Sequence, residues 1–364
     1  MSGAREVAAS PFGKRRLPVA VLGATGAVGQ TFVRLLDGHP WFELTEVAAS
    51  ERSAGKRYDE ATRWIEGTMP EAVAKKRVTL CDPSEVRAPV VFSALDSAAA
   101  GDVEPAFARA GRIVLSNAKN YRMDADVPLL IPEINADHLC LLDAQRRGRG
   151  WSGAIVTNSN CATMVLTLAL APLHEAFGVR GLFVATMQAV SGAGYPGVPS
   201  LDILGNVIPY IADEEPKIET ETRKILGRRA GDGIELAEMA ITAHANRVPV
   251  EHGHTVCVSM SLDRKPSLAD AIAAMRAWRG ADEARALPSA PERALVYSDD
   301  SSRPQPRRDV MLGRGMTVTV GRLRPDPVLH FKMVAMGHNT IRGAAGASLL
   351  NAELMAARGL LPSA

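Results

Sequence analysis

Cys161 directly follows Asn158-Ser159-Asn160 and opens a strongly apolar stretch, residues 162–177, that reads as a helix. A thiol in a first helical turn feels the positive end of the helix dipole and unpaired backbone N–H groups. Both favour thiolate over thiol, and the same N–H groups can receive the oxyanion of a tetrahedral intermediate. That setting marks Cys161 as a candidate nucleophile, whereas a lone cysteine elsewhere is ordinarily a small buried hydrophobe. Cys81 falls in a polar turn, Cys140 in a helix-like segment and Cys257 in a strand, so none of them shares the setting. A second concentration of chemistry is Ala245-Asn246-Arg247-Val248-Pro249-Val250-Glu251-His252-Gly253-His254-Thr255. Arg247 can grip a carboxylate through two parallel hydrogen bonds, and a histidine near the nucleophile can take the thiol proton and serve as acid or base near neutral pH. Spacing alone leaves His244, His252 and His254 as equal candidates. Catalytic zinc generally takes three protein ligands. The pair His252-x-His254 has no evident third, so no metal is expected.

The third chemical feature is Gly23-Ala24-Thr25-Gly26-Ala27-Val28-Gly29, a G-x-x-G-x-x-G turn between an apolar run, Leu17–Leu22, and an amphipathic segment, residues 30–36. Strand, glycine turn and helix in that order let the backbone approach a pyrophosphate and set its charge on a helix N-terminus. Cofactor choice is read at the end of the next strand, where an acidic residue suits NAD and basic or hydroxyl groups suit NADP. Ser50, Arg52 and Ser53, with Lys56 and Arg57 beyond, stand there against the single carboxylate of Glu51. NADP is the expected cofactor.

These residues need a scaffold. Apolar runs at 17–22, 44–49, 78–80, 89–94 and 112–116 alternate with helix-like segments, including 102–110, which predicts a doubly wound parallel sheet. Beyond about Trp151 the texture changes. Longer strand candidates at 181–190, 235–244, 255–262 and 316–322 suggest a mixed or antiparallel sheet, and 339–357 reads as one helix. Residues 286–308, rich in Pro, Ser and Arg, are expected as an exposed excursion. With 364 residues, two domains are the first expectation. The net charge of +2 gives no bulk pull toward nucleic acid or membrane. Four scattered cysteines without a CxxC pair suggest neither a zinc site nor a disulfide framework and suit a reducing cytoplasm. No apolar run reaches the ~20 residues that span a bilayer. Residues 1–17 lack the apolar core of a signal peptide.

Taken together, LGATGAVGQ, NSNCAT, ATMQAVSGAGYPGVPSLDILGN, EEPKIETETRKILG, ANRVPVEHGHT, RPQPRRD and VAMGHNTIRGAAGASLLNAELM resemble the aspartate-semialdehyde dehydrogenase family, in particular its archaeal and fungal branch. The resemblance runs from about Leu17 to Leu360. It implies an α/β fold: an N-terminal Rossmann-like doubly wound domain, then an α+β mixed-sheet catalytic and dimerisation domain of the glyceraldehyde-3-phosphate dehydrogenase-like type. The corresponding divisions are a flexible extension at 1–16, an NADP-binding domain at 17–157, a catalytic and dimerisation domain at 158–335, and a C-terminal helix at 336–364 returning to the first domain. At least a homodimer is implied, with a homotetramer also open.

The implied reaction is NADPH-dependent reductive dephosphorylation of L-4-aspartyl phosphate to L-aspartate 4-semialdehyde, a cytoplasmic step in lysine, threonine and methionine biosynthesis. By resemblance Cys161 is the nucleophile flanked by Asn160, His254 is the acid/base histidine, and Gln188 positions the substrate. Arg247 clamps the substrate α-carboxylate, Glu214 and Lys217 contact its ammonium and phosphate, and Arg122 binds phosphate. Gly23 and Thr25 to Val28, including Gly26 and Ala27, match the pyrophosphate turn; Ser191, Gly192 and Asn339 match the nicotinamide end. Two positions depart from the family pattern: Ser159 replaces a common proline, and Glu251-His252 replaces the usual aspartate before Gly-His. Rivals on the same scaffold are a malonyl-CoA reductase, another acyl-phosphate or acyl-thioester reductase, and a non-catalytic NADP-binding protein. Glu214 with Arg247 favours an amino acid substrate, because malonyl-CoA has no ammonium to pair.

Overall fold

Runs of Val, Ile and Leu with no polar alternation need cover on both faces, and the first half of the chain supplies it. In the computed structural model, which describes residues 7–363, six strands form a parallel sheet. They are Leu17–Leu22 (β1), Phe42–Ala49 (β2), Val78–Leu80 (β3), Val90–Ser93 (β4), Ile113–Ser116 (β5) and Ala154–Thr157 (β6). Their order, β3-β2-β1-β4-β5-β6, is that of a dinucleotide-binding fold. The helix Ala27–Leu36 follows β1 across the glycine turn, and the helix-like segment expected at 102–110 extends back to Ser97–Arg109. Residues 7–16, expected as part of a flexible extension, lie against this domain. The Ala8 N–H donates to the Ala286 carbonyl at 2.8 Å, and the Phe12 ring centroid is 6.4 Å from that of Phe42. Residues 1–6 of that extension fall outside the described residues.

The second sheet is mixed. Its strands are Val179–Gln188 (β7), Ala240–Arg247 (β10), His254–Leu262 (β11), Leu295–Ser298 (β12), Val318–Pro325 (β13) and Phe331–Gly337 (β14), and a separate small hairpin, Arg228–Ala230 (β8) with Gly233–Glu235 (β9), lies between β7 and β10 in the chain. The order is β10-β7-β11-β14-β13-β12, with the β10–β7 and β12–β13 pairs parallel and the rest antiparallel. Residues 235–244, expected as one strand, are divided. Glu235 ends the β8–β9 hairpin, and the long strand starts at Ala240 and runs on to Arg247. The apolar helix Cys161–Phe177 covers the inner face of the sheet and shares one core with Leu182, Val184, Val256 and Val258.

Residues 286–308 are not simply an exposed excursion. They contribute the edge strand β12 and the buried side chains of Leu287, Ala290 and Ala294, and Arg303 closes an ion pair on the buried Asp309. The stretch expected as one helix at 339–357 begins with a π-helical turn, Ile341–Ala345, before the α-helix Gly346–Ala357. Ile341, Leu349, Leu350 and Leu354 of this segment enter the core of the first domain.

Candidate active site

Asn160 explains why a helix starts at Cys161. Its backbone is non-helical (φ −54°, ψ 143°), and its side-chain oxygen accepts from the Ala162 and Thr163 N–H groups at 3.0 and 3.1 Å, a standard N-cap. The cap leaves Cys161 as the first helical residue, with Sγ 3.1 Å from His254 Nε2. Gly253 has φ +102°, a backbone suited to glycine, and divides the two histidines beside it. His254 opens β11 and faces the thiol, whereas His252 lies on the far side, stacked on His338 with ring centroids 5.0 Å apart. His244 is on the outer face of the sheet beside Phe183. Of the three equal candidates, the structure brings only His254 to Cys161.

One peptide unit holds both His254 and Arg247. The Ala189 N–H donates to His254 Nδ1 at 3.0 Å, while the Ala189 carbonyl accepts from Arg247 Nη1 at 2.8 Å. Gly192 packs against the same pair: a Cβ there would come within 2.9 Å of Arg247 Nη1 and 3.2 Å of His254 Cε1. Ser191 Oγ accepts from Asn339 Nδ2 at 2.8 Å, and Asn339 Oδ1 accepts from the Gly253 N–H at 2.9 Å. Gly343, in the π turn, lies so close to Cys161 that a Cβ would stand 2.6 Å from the cysteine Cβ.

The helix Glu214–Ile225 lines the other side. Glu214 accepts from Asn160 Nδ2 at 3.0 and 2.9 Å, from Gln188 Nε2 at 3.1 Å and from Lys217 Nζ at 3.0 Å. Two turns on, Glu221 accepts from Arg122 Nη1 at 2.9 Å and from the Asn160 N–H at 2.6 Å. Arg122 Nη2 donates to the Asn117 carbonyl at 2.7 Å, and its Nε is buried without a partner. Lys224 Nζ donates to the carbonyls of Arg122, Asp124 and Val127 at 2.7, 2.7 and 2.8 Å. The sequence alone does not single out Glu221 and Lys224. The signal was present as acid and base continuing the Glu214–Lys217 spacing along one helix face, but their partners lie about a hundred residues away.

Burial dominates the electrostatics. It pushes the Cys161 thiol up to about 12, with Glu214 adding to the rise and Arg122, Arg247 and the Ala162 N–H opposing it. The expected thiolate preference of a helix start is therefore outweighed in the free chain. Burial likewise pulls His254 down to about 3, assisted by Arg247 and His338. For Glu214, burial raises the carboxyl, but Lys217, Asn160 and Gln188 together outweigh it and hold the group below its ordinary value.

The glycine turn fits a dinucleotide. Gly26 caps the helix Ala27–Leu36 without a side chain over the first-turn N–H groups, leaving them for an anion. A Cβ on Gly29 would stand 2.2 Å from the Gly23 carbonyl oxygen, so the close packing of helix on turn requires glycine. Thr25, Ala27 and Val28 complete this edge, and Ser50, Arg52 and Ser53 lie in the turn after β2. Gly23 through Val28 and Ser50 through Ser53 thus follow neighbouring strands of one sheet.

Residues 18–142 match the family described as semialdehyde dehydrogenase, NAD binding domain, and residues 170–342 match semialdehyde dehydrogenase, dimerisation domain. The class defined by fold and site is thus a two-domain semialdehyde dehydrogenase. An aspartate-semialdehyde dehydrogenase of Archaeoglobus fulgidus is 51% identical over 341 residues, covering 93% of this chain and 98% of the relative. One of Schizosaccharomyces pombe is 44% identical, covering 94% and 99%. The crystal structure of the Candida albicans aspartate-semialdehyde dehydrogenase with NADP superposes with a TM-score of 0.87 at 42% identity, covering 95% of this chain and all of that one, 100%. Aspartate-semialdehyde dehydrogenase II of Vibrio cholerae, complexed with ASA, gives 0.73 at 26% identity, covering 94% of this chain and 98% of that one. The chain belongs to the aspartate-semialdehyde dehydrogenase family.

Proposed function

We propose that this protein reduces L-4-aspartyl phosphate to L-aspartate 4-semialdehyde with NADPH, releasing phosphate, through a thioester on Cys161. The observation that carries the reading is the 3.1 Å approach of Cys161 Sγ to His254 Nε2 at a helix start, between the Arg247 guanidinium and the Glu214 carboxylate. Arg247 takes the substrate α-carboxylate, and Glu214 takes the ammonium, with Gln188 holding the Glu214 carboxylate in place. Lys217 and Arg122 take the phosphate. Neutralising Glu214 with the substrate ammonium removes a charge that opposes thiolate, so an amino acid substrate promotes ionisation of its own nucleophile. Cys161 then attacks the acyl carbon, and phosphate leaves. The Asn160 side chain takes the Ala162 and Thr163 N–H groups, which leaves the Cys161 N–H as the first-turn donor to the developing oxyanion.

NADPH, when bound, supplies the hydride that reduces the thioester carbonyl. Gly23, Thr25, Gly26, Ala27 and Val28 would hold its pyrophosphate, Ser50, Arg52 and Ser53 its 2′-phosphate, and Ser191, Gly192 and Asn339 its nicotinamide end. The protein acts as a homodimer, or a homotetramer built from such dimers, in the cytoplasm, and its ligands are small molecules. The four cysteines are free, which suits that compartment. Phe183 and Met187 are exposed on β7, with Leu201, Leu204 and Tyr210 exposed further on, an apolar surface suited to a second copy. The direct test incubates protein with NADP and L-aspartate 4-semialdehyde in the absence of phosphate, then quenches and digests it. The reading predicts an aspartyl adduct on the Cys161 peptide; an adduct confined to another residue would refute it.

A further inference from the structure

Away from the reacting groups, a cavity of about 350 Å³ lies where the end of the helix Ala27–Leu36, the stretch 288–316 and the start of the last helix meet. That volume stands at the lower end of small-molecule sites, too small for a dinucleotide. The walls are apolar, from Leu35, Pro40, Pro288, Met316, Ile341 and Leu349. His39 and Ser289 also line the cavity, but both are engaged by the protein. His39 Nδ1 accepts from the Trp41 and Phe42 N–H groups at 3.2 and 3.1 Å, and its Nε2 lies 2.8 Å from Glu353 Oε1. The Ser289 N–H and hydroxyl donate to the same carboxylate. Two lining charges are not engaged in this way. Asp37 and Arg314, both exposed at the mouth, make no ion pair with each other or with any other group among the described residues. Arg314 is anchored only through Nη2, which donates to the Pro288 carbonyl at 3.2 Å, so most of its donors stay free. Its φ is +61°, between Gly313 at +59° and Gly315 at +81°, a left-handed run that an arginine seldom enters.

Opposite charges held apart at the mouth of an apolar cavity are complementary to a zwitterion with an apolar tail. We propose that this cavity binds a free α-amino acid with an apolar side chain, and that the π turn beside it relays occupancy to the active site. Arg314 pairs with the carboxylate of the ligand, Asp37 pairs with its ammonium, and the apolar walls take its side chain. The site is distinct from the one that Arg247 and Glu214 offer the substrate. The relay follows from packing. Ile341 opens the π turn Ile341–Ala345 and Gly346 follows it; both wall the cavity, while Gly343 within the turn packs on Cys161. Ile341 has no slack, because a Cβ on Gly315 or on Gly346 would stand 2.8 or 2.9 Å from its side chain. Close-packed groups pass strain on to their neighbours. A ligand side chain pressed against Ile341 therefore moves the turn, and with it the backbone that Cys161 rests on.

Isothermal titration calorimetry of the whole chain with L-methionine and L-leucine tests the site without any turnover, so its failure is separable from failure of the proposed function. The expected result is saturable binding that weakens about fivefold for desamino-methionine and for decarboxylated methionine, the scale of one partly exposed ion pair. Asp37→Asn should erase the advantage of methionine over the desamino form. Arg314→Asn, chosen because asparagine tolerates the left-handed backbone, should erase its advantage over the decarboxylated form. Arg247→Lys should leave the binding in place. Three outcomes overturn the proposal: no saturable binding of either amino acid, binding untouched by both cavity variants, or binding lost in Arg247→Lys, which would put the ligand in the active site. The relay is read from the rate at which iodoacetamide alkylates Cys161. Saturating methionine should change that rate at least about twofold, the scale of a modest coupling between sites, and should have no effect on it in Arg314→Asn. An unchanged rate in the parent chain overturns the relay through the π turn.

Discussion

At Cys161 the helix start and the buried site pull in opposite directions, and burial wins in the free chain, where the thiol is pushed up to about 12. Alkylation of Cys161 by iodoacetamide should therefore keep rising with pH through the neutral and mildly alkaline range, without a plateau, because the thiolate is the reactive form. Glu214→Gln should speed alkylation at a fixed pH, since the removed carboxylate opposes the thiolate, yet lower kcat/KM by losing the proposed contact to the substrate ammonium. Slower alkylation in that variant would mean that Glu214 does not act on the thiol. Cys161→Ala should abolish turnover while leaving NADP affinity within a few-fold, because the glycine turn lies in the other sheet; substantial residual activity would remove Cys161 from the chemistry. The helix start at Cys161 was legible in the sequence, because an Asn cap and an apolar run announce it. The choice among His244, His252 and His254 was not legible from spacing, because it depends on the turn at Gly253 and on which face of the sheet each ring meets.

The helix Glu214–Ile225 organises more of the site than any other single element. One face carries Glu214, Lys217, Glu221 and Lys224, which engage Asn160, Gln188, Arg122 and the loop beyond it. Another presents Glu215 and Glu219 to the edge strand β10, whose Ala245 and Ala243 N–H groups donate to them at 3.0 and 3.1 Å. Those carboxylates close a sheet edge that would otherwise offer unpaired donors, and they register the helix against the strand ending at Arg247. Glu221→Gln should raise the KM for phosphate about tenfold in the oxidative direction, with a smaller effect on the KM for the aldehyde, because a charge-assisted partner of Arg122 is weakened. Equal changes in both constants would assign Glu221 to general stability. The helix itself is readable from its sequence spacing, but its partners are not. Arg122 precedes Glu221 by 99 residues, and only the packed sheets reveal the pairing.

Across the whole molecule, the dinucleotide sheet was legible because its strands are short uninterrupted apolar runs between helices. The second sheet was legible mainly as long strands of uncertain ends. Residues 286–308 look like a loop by composition, yet they lay down the edge strand β12, because parallel pairing with β13 is a long-range contact that no local pattern shows. Two of the buried histidines set a pH limit on the fold. Burial pulls both His254 and His338 down to about 3, so below about pH 6.5 the unfolded chain binds protons that the folded chain refuses. Stability should be full above that pH and fall as pH drops through the window toward 3, by about 1 kcal/mol per pH unit for each ring. Urea unfolding at several pH values measures this, and a stability independent of pH there would contradict the buried neutral rings. The central claim is tested most directly by the reverse assay, in which purified protein, phosphate, NADP and L-aspartate 4-semialdehyde are mixed and reduced nicotinamide is followed. Rapid reduction of NADP that depends on phosphate is the predicted result; no reduction, together with NADPH oxidation by malonyl-CoA, would contradict the substrate assignment.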